Sequence, residues 1–176
     1  MAEAPQTIFG QTDALALAVV NYLTVQQAAG VYMLAIAPAR RFALIDTLAD
    51  LPKYNEAASV SVVPSGESSE RNGMSHAFDS TCIVHLVMKQ VVAGAAIGEE
   101  AQCAKLAAVR SQILDGLRTR ALDLDNAVHP VKRVFIVGLK SAVHNAARGP
   151  ELYSLDDLMA SHVFHSDTIL TFRAAV

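Results

Sequence analysis

Leu15, Ala18, Val19, Tyr22 and Leu23 recur at i, i+3, i+4, i+7 and i+8, which lays one apolar stripe along a helix, and Leu17 and Val20 widen it. Thr12 or Gln11 is its expected start, with Thr12 as N-cap and Asp13 in the first turn. Gly30 is its expected stop. Residues 31–37 (VYMLAIA) are almost continuously apolar, the pattern of a strand buried on both faces and closed by Pro38. Residues 40–51 read as a connector with one helical turn over 45–49, and Pro52 biases Leu51 away from helical backbone. A second strand is expected over 57–64 and a third over 81–89. In the third, Cys82, Val84, Leu86 and Met88 alternate with Thr81, Ile83, His85 and Val87. Between the two lies a polar, turn-forming stretch with Asn72-Gly73, a strong two-residue hairpin signal. It predicts antiparallel strands joined by a long arm with its tip near Asn72. The other reading of the same residues is an irregular loop of about fifteen residues.

The second half repeats the alternation of periods. Residues 91–98 form a small-residue connector, and Glu99-Glu100 opens a second helix with the charge sign a helix start favours. Leu106, Val109, Ile113 and Leu117 make its core stripe, while Arg110, Arg118 and Arg120 weight the later turns with positive charge. Residues 122–130 read as a linker and 131–139 as a strand. Residues 141–157 form a long connection with a turn at Gly149-Pro150. Residues 161–173 make the last strand, with Phe164, Thr168, Leu170 and Phe172 on or near one parity. The order helix, strand, strand, strand, helix, strand, strand predicts an α+β, two-layer fold. Its mixed or mostly antiparallel β-sheet would carry the two main helices on one face, plus the long β-hairpin arm, as a single domain over residues 1–176.

Composition narrows the partners. The chain has 176 residues, 52% of them apolar and 18% charged, with a mean hydropathy of +0.31. A chain of this length buries roughly 70% of its extended surface and can hold a core without staples. No apolar run approaches the ~20 residues of a membrane span, so no membrane partner is expected. The apolar excess points to surface covered by other subunits. Net charge is −3, with basic residues scattered among acidic ones, whereas sequence-independent nucleic-acid binding depends on Lys and Arg neutralising phosphates. Cys82 and Cys103, without CxxC spacing, read as free buried thiols in a reducing compartment. The Met1-Ala-Glu-Ala-Pro5 start has neither a basic nor an apolar leader region, so secretion is not expected.

No constellation for catalysis stands out. His162 and His165 form an H-x-x-H pair, but in a strand residues three apart point to opposite faces. His85 is opposite in parity to Cys82, and His76, His129 and His144 have no ligand types at zinc spacing. Neither G-x-S-x-G nor a phosphate-binding glycine motif occurs. Glu99-Glu100 and Asp156-Asp157 are adjacent carboxylates that point about 100° apart on a helix, which suits helix starts better than acid–base pairs. The expectation is a protein that is not an enzyme and uses no cofactor and no metal.

The order of features resembles the tail terminator, or head–tail joining, proteins of long-tailed bacteriophages. The resemblance is carried by the T-D-A-L-A-L-A-V-V-N-Y-L opening helix, Pro38-Ala-Arg-Arg-Phe42, a short Leu/Asp-rich segment ending in Leu51, Val60-Ser-Val-Val-Pro64 and a Ser/Glu/Arg arm. An alternating strand ending in Met88-Lys89-Gln90, a long helix, Glu151-Leu-Tyr-Ser-Leu-Asp-Asp-Leu158 and a closing strand with Thr171-Phe-Arg173 complete it. It spans nearly the whole chain through degenerate motifs. Two departures stand out: the 43–50 connector is less acidic than the pattern, and the segment around residues 123–126 lacks an aromatic anchor. The resemblance implies a homohexameric ring that caps the head-proximal end of the tail tube, ends its polymerisation and presents a surface to the head connector or neck protein. DNA would pass through the lumen without specific binding. The protein would be a virion component of the tail or neck, assembled in the host cytoplasm.

On this reading Arg40, Arg41, Glu67, Glu70, Arg71, Asn72 and Tyr153 are the expected subunit or partner contacts, within residues 65–78, the Arg40-Arg41 doublet and residues 142–158. A pairing of Arg40-Arg41 with a neighbour's Glu67 and Glu70 competes with plain solvation of that doublet. Three alternatives stay open: a head-closure or connector neck ring, a small ligand-binding domain or enzyme, and a structural adaptor outside phages.

Overall fold

A computed structural model describes residues 9–43, 47–71, 78–92, 96–126, 129–145, 147 and 149–174. Helix α1 (Phe9–Ala28) buries Leu15, Ala16, Val19 and Leu23, and leaves Leu17 exposed. It starts before the expected N-cap. Thr12 lies inside the helix, buried, and its hydroxyl donates to the Gly66 carbonyl (3.3 Å), so the residue fastens the helix to a strand rather than capping it. The expected stop holds. Gly30 sits at φ +70, its N–H bonds Gln27 O (3.0 Å), and Val31 N–H reaches back to Gln26 O (3.1 Å), the paired bonds of a Schellman motif.

The sheet has six strands in the order β1-β2-β3-β8-β5-β4: β1 (Ile36–Arg40), β2 (Ala58–Arg71), β3 (Phe78–Val91), β4 (Leu122–Asn126), β5 (His129–Ser141) and β8 (Val163–Ala174). Only β1 and β2 run parallel, so the sheet is mixed and mostly antiparallel. β6 (His144–Asn145) and β7 (Gly149–Pro150) make a separate two-stranded ribbon where a turn was expected. Helix α2 is Ala96–Arg118, and the short α3 is Leu155–Ser161.

One face of the sheet is the core. Val60 and Val62 of β2, Cys82, Val84, Leu86 and Met88 of β3, Val134 of β5, and Phe164, Leu170 and Phe172 of β8 all point to it. They meet Leu15, Val19 and Leu23 of α1 and Leu106, Val109, Ile113 and Leu117 of α2. Gly116 of α2 leaves room for the Tyr22 hydroxyl of α1, with which a Cβ there would collide. α1 touches β1 and β2 at one edge of the sheet and β4 at the other, so the sheet curls around its helices. Cys82, in a strand, and Cys103, in a helix, are both buried and share no disulfide.

Several expected boundaries move. The apolar run 31–37 is not one strand. Val31 and Met33 are exposed, pairing begins only at Ile36, and Pro38 lies inside the strand opposite Val60. An edge strand tolerates that proline because one side of its ladder is free. The helical turn expected over 45–49 is a 3-10 turn at Leu48–Asp50. The expected linker 122–130 holds β4 and the start of β5, and α3 interrupts the expected long connection.

The expected antiparallel pairing of β2 and β3 is present and continues to Arg71 opposite Phe78. Its last steps, Ser69–Ser80 to Arg71–Phe78, lie beyond the final β3–β8 pair, Thr81–Arg173. The expected tip at Asn72 lies outside the described residues. Among the described residues no helix is long and apolar enough to cross a membrane.

Candidate subunit-contact surface

Two of the expected contact residues meet at a corner where β1 ends beside the start of α1. Arg40 Nη1 lies 2.7 Å from Asp13 Oδ2, and its guanidinium carbon stands 5.1 Å from the centroid of the Phe42 ring. The backbone N–H of Arg41 donates to Val62 O (3.0 Å), which holds the turn against β2, while Arg41 Nε is buried without a hydrogen-bond partner among the described residues. Arg40 therefore has its acidic partner within the chain, on a different element from the expected Glu67 and Glu70. Those two and Arg71 sit on β2, but their side chains, like all of Asn72, lie outside the described residues. Phe42 is 71% exposed, a large aromatic surface held in place by a neighbouring cation.

Tyr153 lies on different elements from that corner. Its ring packs on Phe164 of β8 at 5.2 Å between centroids, tilted by 30°. With Leu158 it forms one wall of a groove whose other wall is α2: Glu99, Glu100, Cys103, Ala104 and Ala107. The volume is ≈ 480 Å³. Small residues at 103, 104 and 107 fall on adjoining positions of two helical turns, and their lack of bulk leaves the space open. Burial pushes the Cys103 thiol above its usual range, and the Glu99 charge adds to the shift. The thiol stays protonated at neutral pH and behaves as part of an apolar wall.

α3 sets the far end of that wall. The Ser154 hydroxyl accepts a hydrogen bond from the Asp157 N–H (3.1 Å), and His162, at φ 54, closes the helix with its N–H on Leu158 O and Asp157 O. Ser154→Ala is expected to cost about 1 kcal/mol of folding stability, read as a lower urea midpoint with an unchanged slope.

Three histidines each tie two elements together. His85 Nδ1 is 3.0 Å from Asp167, joining β3 to β8 on the sheet face away from the helices. His165 Nδ1 is 2.6 Å from Asp157, joining β8 to α3, and His162 Nδ1 is 3.2 Å from Glu99, joining α3 to α2. The H-x-x-H pair thus does not converge, since each ring goes to its own carboxylate. Only His165 is in β8, while His162 caps α3, so the two do not share one strand.

Large apolar side chains are exposed on several elements as well. Leu48 follows the Phe42 corner, and Leu152 and Met159 flank the groove segment, with Met159 80% exposed. Phe135 and Val137 stand exposed on β5, where the register shifts between Ile136 and Gly138. Sequence reasoning missed the groove residues Cys103, Ala104 and Ala107 and took Glu99 for helix-start charge alone, while Leu158 falls within the expected contact stretch 142–158. The available signal was the run of small residues on one side of an otherwise Leu-rich helix. No family model matches the chain, and no curated protein matches it.

Proposed function

We propose that the protein is a structural virion component of a long-tailed bacteriophage. Six copies form a ring that caps the head-proximal end of the tail tube, stops its polymerisation and offers a surface to the head connector. The observation that carries this reading is the large apolar side chains left outside the core, among them Phe42 after β1, Leu48 on the 3-10 turn, Leu152 before α3 and Met159 on α3. Phe42, 71% exposed, and Met159, 80% exposed, present apolar area that a neighbouring copy can cover favourably. The resemblance of the whole chain to tail terminators supplies the ring, its six subunits and its partners. The edge strand β1, and the β2–β3 ladder where it runs past β8, offer unpaired backbone groups to which a neighbouring strand can add. The work done is surface complementarity, with no bond made or broken. DNA passes through the lumen without specific contacts, in keeping with a net charge of −3.

Sedimentation of the purified protein tests this. The expected particle has six times the 18.7 kDa protomer mass and shifts further on adding tail-tube protein. A protomer at every concentration would remove the proposal. A ring that binds portal or adaptor protein and ignores tube protein would move it to the neck.

A further inference from the structure

The groove and the Phe42 corner have opposite chemistry. The groove is lined by Cys103, Ala104, Ala107, Tyr153 and Leu158, with Glu99 and Glu100 at the α2 end. The segment that builds its second wall, residues 149–161, contains Glu151, Asp156 and Asp157 and neither Lys nor Arg. The corner carries one exposed aromatic ring between two arginines and an alanine. We propose that Phe42 of one copy seats in the groove of the next copy, with Arg41 facing Glu100. This deepens the assembly reading above and rests on it.

Size and order favour this occupant. A groove of ≈ 480 Å³ falls in the range of small-molecule pockets and has room for a phenylalanine ring together with part of its neighbours. Phe42 does not have to be ordered on docking, because Arg40 already stands over its ring and Asp13 holds Arg40, so little side-chain freedom is lost. Arg40 is committed to Asp13, which leaves Arg41 as the cation for the acidic end. An aromatic ring filling a pocket, with an arginine beside it, is the make-up of an interface hot spot. The corner is built on β1 and α1, the groove on α2 and the 153–158 segment, so one copy gives its corner to one neighbour and its groove to another. Such a head-to-tail contact generates a ring when its rotation closes.

The experiment is sedimentation of the full chain over a concentration series, for the wild type, Phe42→Ala, Arg41→Glu, Glu100→Arg and the Arg41→Glu/Glu100→Arg pair, with circular dichroism to verify folding. Each single change is expected to raise the midpoint concentration of assembly about thirtyfold, and the charge-swapped pair to regain most of that loss. Phe42 and Glu100 are exposed, so their replacement leaves the core intact. A wild type that assembles while all single variants assemble equally well overturns the docking and leaves the ring standing. Single variants that weaken assembly without recovery in the swapped pair also overturn it. A wild type that stays a protomer overturns both.

Discussion

Phe164→Ala will cost about 3–5 kcal/mol of folding stability, the range for removing a fully buried phenylalanine. Phe164 has no exposed surface, lies on the helix-facing side of β8 and packs on Tyr153. Deleting the ring removes apolar burial and opens a cavity that a sheet pinned on both sides of β8 can refill only in part. For a chain of this length the melting temperature should fall by roughly 6–20 °C. The change also removes the support of Tyr153, so the groove wall loosens with the core. Phe135→Ala, on the exposed side of β5, should stay within about 0.5 kcal/mol. Urea unfolding at one fixed protomer concentration separates the two, because assembly would otherwise add a concentration term. A loss below about 1 kcal/mol at Phe164 would contradict the described core.

The parts of the fold that sequence made legible are those where one residue type repeats at one period. Leu106, Val109, Ile113 and Leu117 are all fully buried, and Phe164, Thr168, Leu170 and Phe172 share the core face. Both patterns arise because a helix or strand with one buried side must place its apolar residues at a fixed spacing. The misread parts are those where burial comes from tertiary neighbours. Residues 31–35 look like a buried strand, yet Val31 and Met33 are exposed beside the buried Tyr32, and the paired segment is the proline-containing Ile36–Arg40. β4 alternates leucine with aspartate and is too short and polar to stand out before Pro130. α3 did carry a signal, Ser154 three residues before Asp157, but seven residues give a weak period.

The candidate surface was legible only in half. The Arg40-Arg41-Phe42 corner could be read as a basic turn, though its internal partner Asp13 lies 27 positions away and no local pattern announces that pair. The groove could not be read, since it exists only where α2 meets residues brought from the 153–158 segment. Arg110 shows the remaining failure. With Arg118 and Arg120 it was read as positive charge on the later turns of the helix. Its position, four residues after Leu106 and three before Ile113, placed it on the core stripe, and position decided.

Thr168→Val will cost about 2 kcal/mol, and adding Arg110→Met to it will restore most or all of that loss. Arg110 is only 7% exposed, its Nη2 donates to Thr168 Oγ1 at 2.8 Å, and its Nε has no partner among the described residues. Burial, and to a lesser degree the nearby Arg118 charge, pulls its pKa below the usual guanidinium range, which is the direction expected of a cation kept from water. The guanidinium nonetheless stays charged at neutral pH. Valine at 168 keeps the shape of threonine but removes the oxygen, so the buried cation loses a charge-assisted bond and gains nothing in return. Methionine at 110 keeps the length of the side chain and removes the need for that bond, and the valine then faces an apolar neighbour. The two changes are therefore strongly non-additive, and a double-mutant cycle in urea should return a coupling of about 1–3 kcal/mol. Additive losses, or a neutral Thr168→Val, would mean that Arg110 does not depend on Thr168.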